Sequence, residues 1–377
     1  MNGKYLTRSI LAGGAVAAGT IVVVAPPDLS YGLVGCDRPP IDSEQTGYRG
    51  TGMENIDNPR AEEAQGLSNS HPETADFEVS SEGPKAGEVY QNVEVLTDLS
   101  VPEFIRLMQQ MTEWVAPEQG CTYCHDGRDF ASEDVYTYNV SRQMLKMTRY
   151  ANANWDAHVA DTGVTCYTCH RGQGVPEGQW FKDKDAGAEV MAAGLGNRMM
   201  QNMPSDKTAL SSLPRDSMER FLVGHEEIQV QGETALPTDH TASIVDTEHP
   251  YVLMMHMTDA IGGTCSVCHN TGRLGDWSES PQQREISWHG IRMVRDMNVN
   301  HIQPLTSTLP EARLGPTGDA GKVNCTTCHY GEQLPLNGEK VAKEYPGLVG
   351  EEDPDFNYLQ FGDLGTEGLQ GGSSDQE

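Results

Sequence analysis

The chain is poor in three things at once: basic side chains, apolar residues and aromatic rings. Only 26 Lys and Arg stand against 55 Asp and Glu, a formal net charge of −29. Nucleic acid and anionic lipid both repel such a surface, which excludes non-specific nucleic-acid binding and speaks against docking on acidic headgroups. A cationic partner fits it, as does a plain role in solubility. Hydrophobic residues make up 37% and aromatic residues 7% of 377 positions. That core is thin for the length, so something other than side chains is expected to fill the interior.

Long apolar runs are equally scarce. The notable one, Ser9 to Ala25, is preceded by Lys4 and Arg8 and closed by Pro26, Pro27 and Asp28. A positively flanked apolar stretch directs export. Its 17 residues reach the short end of the about 17–25 that span a bilayer. Two outcomes stay open. Gly13, Gly14 and Gly19 with Ala15, Ala17 and Ala18 give small residues four apart, on which another membrane helix can pack; that favours a retained single anchor over about residues 9–25. Leu33, Val34, Gly35 and Cys36 instead form a lipobox, in which Cys36 is acylated after cleavage. Both place the rest of the chain in the periplasm.

What the chain does have is cysteine in a strict arrangement. Eight of its nine cysteines fall in Cys121-Thr-Tyr-Cys124-His125, Cys166-Tyr-Thr-Cys169-His170, Cys265-Ser-Val-Cys268-His269 and Cys325-Thr-Thr-Cys328-His329. Two thiols three positions apart add to the two vinyl groups of one haem, and the next histidine supplies the proximal iron ligand. With 9 cysteines and 12 histidines, four such motifs are not a chance pattern. A zinc ribbon does not need histidine after every pair, and a thioredoxin-like site needs alternating strands and helices. The motifs therefore imply four covalently bound haem c groups, which also account for the thin core.

The motifs are spaced unevenly, at 121, 166, 265 and 325, which suggests two pseudo-repeated haem pairs in a mainly α fold with extensive loops. The expected organisation is an anchor or signal in 1–36, the first two haems in 37–171, a connecting region in 172–249, the second pair in 250–347 and an acidic tail in 348–377. Ser100 and Glu103 form a capping box with Pro102 in the first turn, ahead of an apolar face of Phe104, Met108, Met111 and Val115. Further helices are predicted from Ser141 to about Ala151, continuing irregularly through His158, from Pro250 through Ile261, and from about Glu285 to Met297. Residues 172–247 read as loops. Residues 351–377 carry eight acidic side chains and no basic one, the composition of a flexible tail or of a strap that contacts a partner.

The sixth iron ligand decides between carrier and catalyst, because two protein ligands leave no open position for substrate. Spacing and helical face point Met108, Met144 and Met254 toward haems, with ordinary core methionine as the alternative. For the remaining haem, His158, His289, Met293, Met297 and His301 compete.

Several stretches resemble the tetrahaem cytochrome subunit of purple-bacterial photosynthetic reaction centres. They are Gln45-Thr-Gly-Tyr-Arg-Gly50, Thr112-Glu-Trp-Val115, Gly120 through His125, Thr162 through Arg171, Leu253-Met-Met255, Gly290-Ile-Arg-Met-Val-Arg-Asp296 and Tyr345-Pro-Gly-Leu348. Carried over residue by residue, the resemblance implies axial pairs Met108 with His125, Met144 with His170, Met254 with His269 and His158 with His329. Arg284 matches a potential-tuning arginine near the third haem. The resemblance further implies an electron relay rather than an enzyme, at the periplasmic face of the photosynthetic membrane. It would be reduced by a soluble cytochrome c2-type or high-potential iron-sulfur protein. It would sit on the reaction-centre L and M subunits, with the H subunit and the light-harvesting 1 ring nearby. Met257 and His289 depart from that pattern as extra ligand-type side chains. A respiratory multihaem carrier or a multihaem reductase would share the attachment motifs without needing the other stretches.

Overall fold

The computed structural model describes residues 40–45, 54–72, 79–184, 213–230, 242–243 and 246–362. The apolar segment, Cys36 and the end of the acidic tail lie outside them. The chain divides into two units, Met1–Ser43 with Ile56–Glu62, and Glu44–Asn55 with Glu63–Glu377; all four motifs belong to the second. A two-stranded sheet of β1 (Asp42–Gln45) and β2 (Glu54–Asp57) is followed by α1 (Pro59–Ser68), which buries none of its residues.

The expected capping box opens α2 (Val101–Val115): the Ser100 hydroxyl accepts from the Glu103 amide, and the Glu103 carboxylate accepts from the Ser100 amide at 2.9 Å. Leu107, Gln110 and Trp114 are its buried side. Phe104, Met108, Met111 and Val115, the face expected to meet a haem, are only partly buried and flank that side. α3 (Tyr136–Asn154) starts five residues before the predicted Ser141; it breaks at Trp155 and resumes as α4 (Asp156–Val159), which carries His158. α5 (Cys166–His170) is the second motif itself.

The connecting region is not all loop, since α6 (Ser217–Leu222) buries Met218, Phe221 and Leu222. α7 (Glu248–Ala260) ends before Gly262, which adopts φ +63°, a conformation glycine takes at little cost. α8 (Gln283–Asp296) passes into a π-helical turn, Met297–Ile302, and α9 (Cys325–His329) is the fourth motif.

Two apolar clusters hold these elements. One joins Trp155, Phe221, Leu253, Ile291, Val294 and Phe361; the other joins Leu96, Leu107, Trp114, Leu145, Tyr345 and Leu348. Phe361 corrects the expected tail. Residues 351–362 are mostly exposed but tied to the core at points: Arg295 donates to the Phe361 carbonyl at 2.7 Å, the Asp353 amide donates to Asn154, and Phe356 meets Trp155 edge-on. Acidic composition predicted a flexible tail or a partner-contacting strap from residue 351; within residues 351–362, Phe356 and Phe361 anchor it.

Candidate cofactor sites

The four motifs fold in two ways. At the first and third, the first cysteine lies on a 3-10 turn, Gly120–Tyr123 or Cys265–Val267, and the second caps its end. The histidine Nδ1 there contacts a carbonyl five residues on, His125 to Phe130 at 2.9 Å and His269 to Leu274 at 3.0 Å. In both, the second thiol meets a serine hydroxyl of the next helix, Cys124 with Ser141 at 3.1 Å and Cys268 with Ser287 at 3.5 Å.

At the second and fourth, the whole motif is a short α-helix closed at its start by a reciprocal cap, Thr165 with Thr168 or Asn324 with Thr327. The residue after the histidine turns left-handed, Arg171 at φ 50° and Tyr330 at φ 52°. That brings a carbonyl three residues on to the ring, Gln173 at 2.8 Å from His170 and Glu332 at 2.9 Å from His329.

The chemical result is the same at all four. A carbonyl only accepts, so Nδ1 carries the proton and Nε2 keeps its lone pair, as an axial ligand requires. Burial also holds His170, His269 and His329 below the ordinary imidazole range, which favours the neutral, ligating form. All eight described cysteines are free thiols. Among the described residues no three His, Cys, Asp or Glu side chains converge as a closed metal site would require. Two free thiols and an imidazole with Nε2 open, repeated at each motif, are the donor set that would hold haem c.

The motifs are not neighbours in chain order. α5 packs on α2: the Gly172 amide donates to the Trp114 carbonyl at 2.9 Å, and Cys166 packs with Met108 in one cluster. The second and fourth motifs touch directly. The Tyr330 hydroxyl donates to the Cys169 carbonyl at 3.0 Å, Arg171 lies 4.4 Å over the Tyr330 ring, and the Cys328 thiol beside Cys169 drives that thiol well up. The fourth and third then share one cavity of about 990 Å³, lined by Cys265, Cys268, His269, Cys325, Cys328 and His329. Cys124 of the first motif stands near enough to Cys166 of the second to act on its thiol, so the spatial order is first, second, fourth, third.

His158 stands in the same cavity opposite His329. Their ring centres are 6.0 Å apart with planes at 63°. Two metal–imidazole bonds of about 2.0 Å, with each ring centre roughly 1 Å further back, would need ring centres about 6 Å apart, so the spacing would fit one iron. His158 Nδ1 is tied to the Ile286 carbonyl at 2.9 Å. Burial, helped by nearby His329, pushes its pKa down to about 4. Met254 and Met257 line the cavity with His269, and so do Met293 and Met297.

The competing histidines make contacts of their own. His289 packs edge-on against Trp288 and Tyr358, with ring centres at 4.9 and 5.0 Å. His301 lies against Tyr150, its Nδ1 3.3 Å from Gln143. Met108 and Met144 are partly buried on α2 and α3, against the second and first clusters respectively. Arg284 is in the cavity wall, 4.0 Å over the Trp277 ring and hydrogen-bonded to the Asp276 carbonyl and the Ser280 hydroxyl. After burial, its charge is the main influence lowering His269, which sets it beside the third motif.

Sequence reasoning missed His256. It is half-buried on α7, with its pKa pushed to about 4 by desolvation and by His329. Only its place two residues past Met254, on the opposite helix face, could have flagged it.

Residues 37–349 match the family described as photosynthetic reaction centre cytochrome C subunit. The chain is 48% identical over 317 residues to the photosynthetic reaction center cytochrome c subunit of Rubrivivax gelatinosus, covering 84% of this chain and 86% of that one. It is 46% identical over 328 residues to that of Thermochromatium tepidum, with 87% and 79% covered. A protein of the same name from Roseobacter denitrificans is 36% identical over 332 residues, with 83% and 86% covered.

Proposed function

Because the chain belongs to the family of photosynthetic reaction-centre cytochrome c subunits, we propose that it relays electrons from a soluble periplasmic donor to the photo-oxidised bacteriochlorophyll pair. It is an electron carrier of the reaction centre, not an enzyme. The observation that carries the fuller reading is the unbroken row of neighbouring motifs, first, second, fourth and third, each with a histidine Nε2 left free to ligate.

The residues that would hold four haem c groups are the eight motif cysteines, with axial pairs Met108/His125, Met144/His170, Met254/His269 and His158/His329. Bound there, haem c supplies reversible one-electron chemistry at iron. The chain's own residues do the rest. They fix each proximal imidazole by a carbonyl, line the third and fourth sites with a largely apolar cavity wall, and place the Arg284 charge where it favours reduction of the third haem. Two pseudo-repeated pairs are supported by the alternation of 3-10 and α-helical motifs and by the paired Ser141 and Ser287 contacts.

On this reading the partners are the L and M subunits, with the H subunit and the light-harvesting 1 ring nearby. The donor is a cytochrome c2-type or high-potential iron-sulfur protein. The protein stands at the periplasmic face of the photosynthetic membrane, held by the N-terminal helix or by diacylglyceryl-Cys36. A net charge of −29 steers a cationic donor in preference to an acidic one.

The test is flash spectroscopy on membranes from the source organism, following the c-haem α-band together with the bleach of the bacteriochlorophyll pair. Haem oxidation that tracks recovery of the pair, and persists after soluble cytochromes are washed out, is the expected result. Silent haems after the flash overturn the relay reading and leave a periplasmic carrier.

A further inference from the structure

Gly290 lies inside α8, where glycine destabilises a helix relative to alanine. Something other than the helix therefore asks for it. It follows Ile286, whose carbonyl holds His158, by one turn, so the same stretch of α8 that orients the imidazole also faces it. A Cβ built on Gly290 would stand 2.5 Å from Cε1, 2.8 Å from Nδ1 and 3.1 Å from Nε2 of His158. Carbon contacts settle near 3.5 Å, so a methyl there pushes the ring by roughly 1 Å. The methyl meets the ring edge that carries both working nitrogens, so either the Nδ1 hydrogen bond or the reach of Nε2 across to His329 is lost.

Resting on the ligand reading above, we propose that Gly290 is the positioning residue that admits His158 as the distal ligand of the fourth haem. Its missing side chain makes room for the imidazole, and the Ile286 carbonyl one turn earlier fixes the ring's tautomer and tilt. The two act as a pair: one clears the space, the other aims the donor. Met293 and Met297, three and seven residues further on, line the same cavity and present thioethers to it when the imidazole is displaced.

The test is near-infrared magnetic circular dichroism of the purified holoprotein, which separates His/His from His/Met haem. Wild type is expected to show three His/Met haems and one His/His haem, and His158→Met to lose the His/His band. Any other count in wild type, or a His/His band that survives His158→Met, overturns the ligand reading itself. With that reading intact, Gly290→Ala is expected to lose the His/His band while the three His/Met bands stay. An unchanged spectrum overturns the proposal.

In His158→Gly, added imidazole is expected to restore the His/His band, and to bind more than about tenfold more weakly when alanine also occupies position 290. Equal imidazole affinity in the two backgrounds counts against Gly290. Should Gly290→Ala alone fail to accumulate, the double variant His158→Gly/Gly290→Ala is expected to accumulate again, because the clashing ring is gone; failure of that rescue overturns the proposal as well.

Discussion

His158 and His329 reach the same gap from elements 171 residues apart, one from α4 and one from α9, and hold their ring centres at 6.0 Å. Each is fixed by a backbone carbonyl, Ile286 for one and Glu332 for the other. Nothing in the local sequence of either histidine specifies the other; the pairing is produced by α8, which supplies Ile286 and packs on α4.

With the proposed ligands, a second imidazole would lower the potential of the fourth haem relative to a thioether in the same place, because imidazole stabilises ferric iron where a thioether stabilises ferrous. His158→Met should raise the midpoint potential of that haem by on the order of 0.1 V, within the about 0.8 V that axial ligands command. Potentiometric titration of the α-band checks it. A potential that stays within experimental error would mean that His158 does not touch the iron.

Arg284 sits on Trp277 in the cavity wall and lowers His269. A fixed cation near iron disfavours the more positive oxidised state. Removing it in Arg284→Gln should lower the potential of the third haem by tens of millivolts, equivalent to on the order of 1 kcal/mol at an effective dielectric constant near 20. The other three haems should stay within a fraction of that shift. A uniform change at all four would point to a global structural effect instead.

Much of this site was legible in the sequence because thioether attachment imposes a fixed spacing on Cys and His. The capping box at Ser100 was legible for a similar reason, since two orphan amides demand two specific side chains. The division into 3-10 and α-helical motifs was not recognised, although Thr165/Thr168 and Asn324/Thr327 are themselves short cap patterns. Boundaries moved where tertiary packing overrode local preference, as at Tyr136, which extends α3 upstream of Ser141. α6 was hidden in a Gly- and Ser-rich stretch because Phe221 and Leu222 are helical only once buried against α8. The neighbour order of the motifs rests on contacts such as Tyr330 to Cys169, which no spacing rule encodes.

Outside the haem sites, Asp216 should govern part of the acid stability. Burial alone would raise its carboxyl, but His249 at 3.3 Å and Arg220 at 2.7 Å outweigh burial and hold it at about 2. A carboxyl depressed in the folded state adds stability above its unfolded pKa, near 3.9, and loses it as pH falls through the folded value. Chemical unfolding at several pH values should therefore show wild type losing its advantage over Asp216→Asn between about pH 4 and pH 2. An advantage that is constant across that window would assign the effect to packing rather than to charge.

Trp155 offers a sharper test of the larger cluster. Its indole Nε1 donates to Asp296 Oδ2 at 2.8 Å, both side chains are almost wholly buried, and the second carboxylate oxygen accepts from Asn300 at 2.8 Å. Trp155→Phe removes the donor and leaves a buried carboxylate oxygen unsatisfied, which costs about 1–3 kcal/mol, and the smaller ring also fills less of the cluster. In a background of Asp296→Asn, whose amide has no charge to strand, the same substitution should cost less. The difference between the two costs is the coupling of the pair, read from a double-mutant cycle in denaturant. Because Trp155 stands at the break between α3 and α4, losing it should also loosen the segment that carries His158. The His/His spectroscopic band is then expected to broaden in Trp155→Phe while the bands of the other haems hold, and a double-mutant cycle with no coupling would remove the hydrogen bond as the cause.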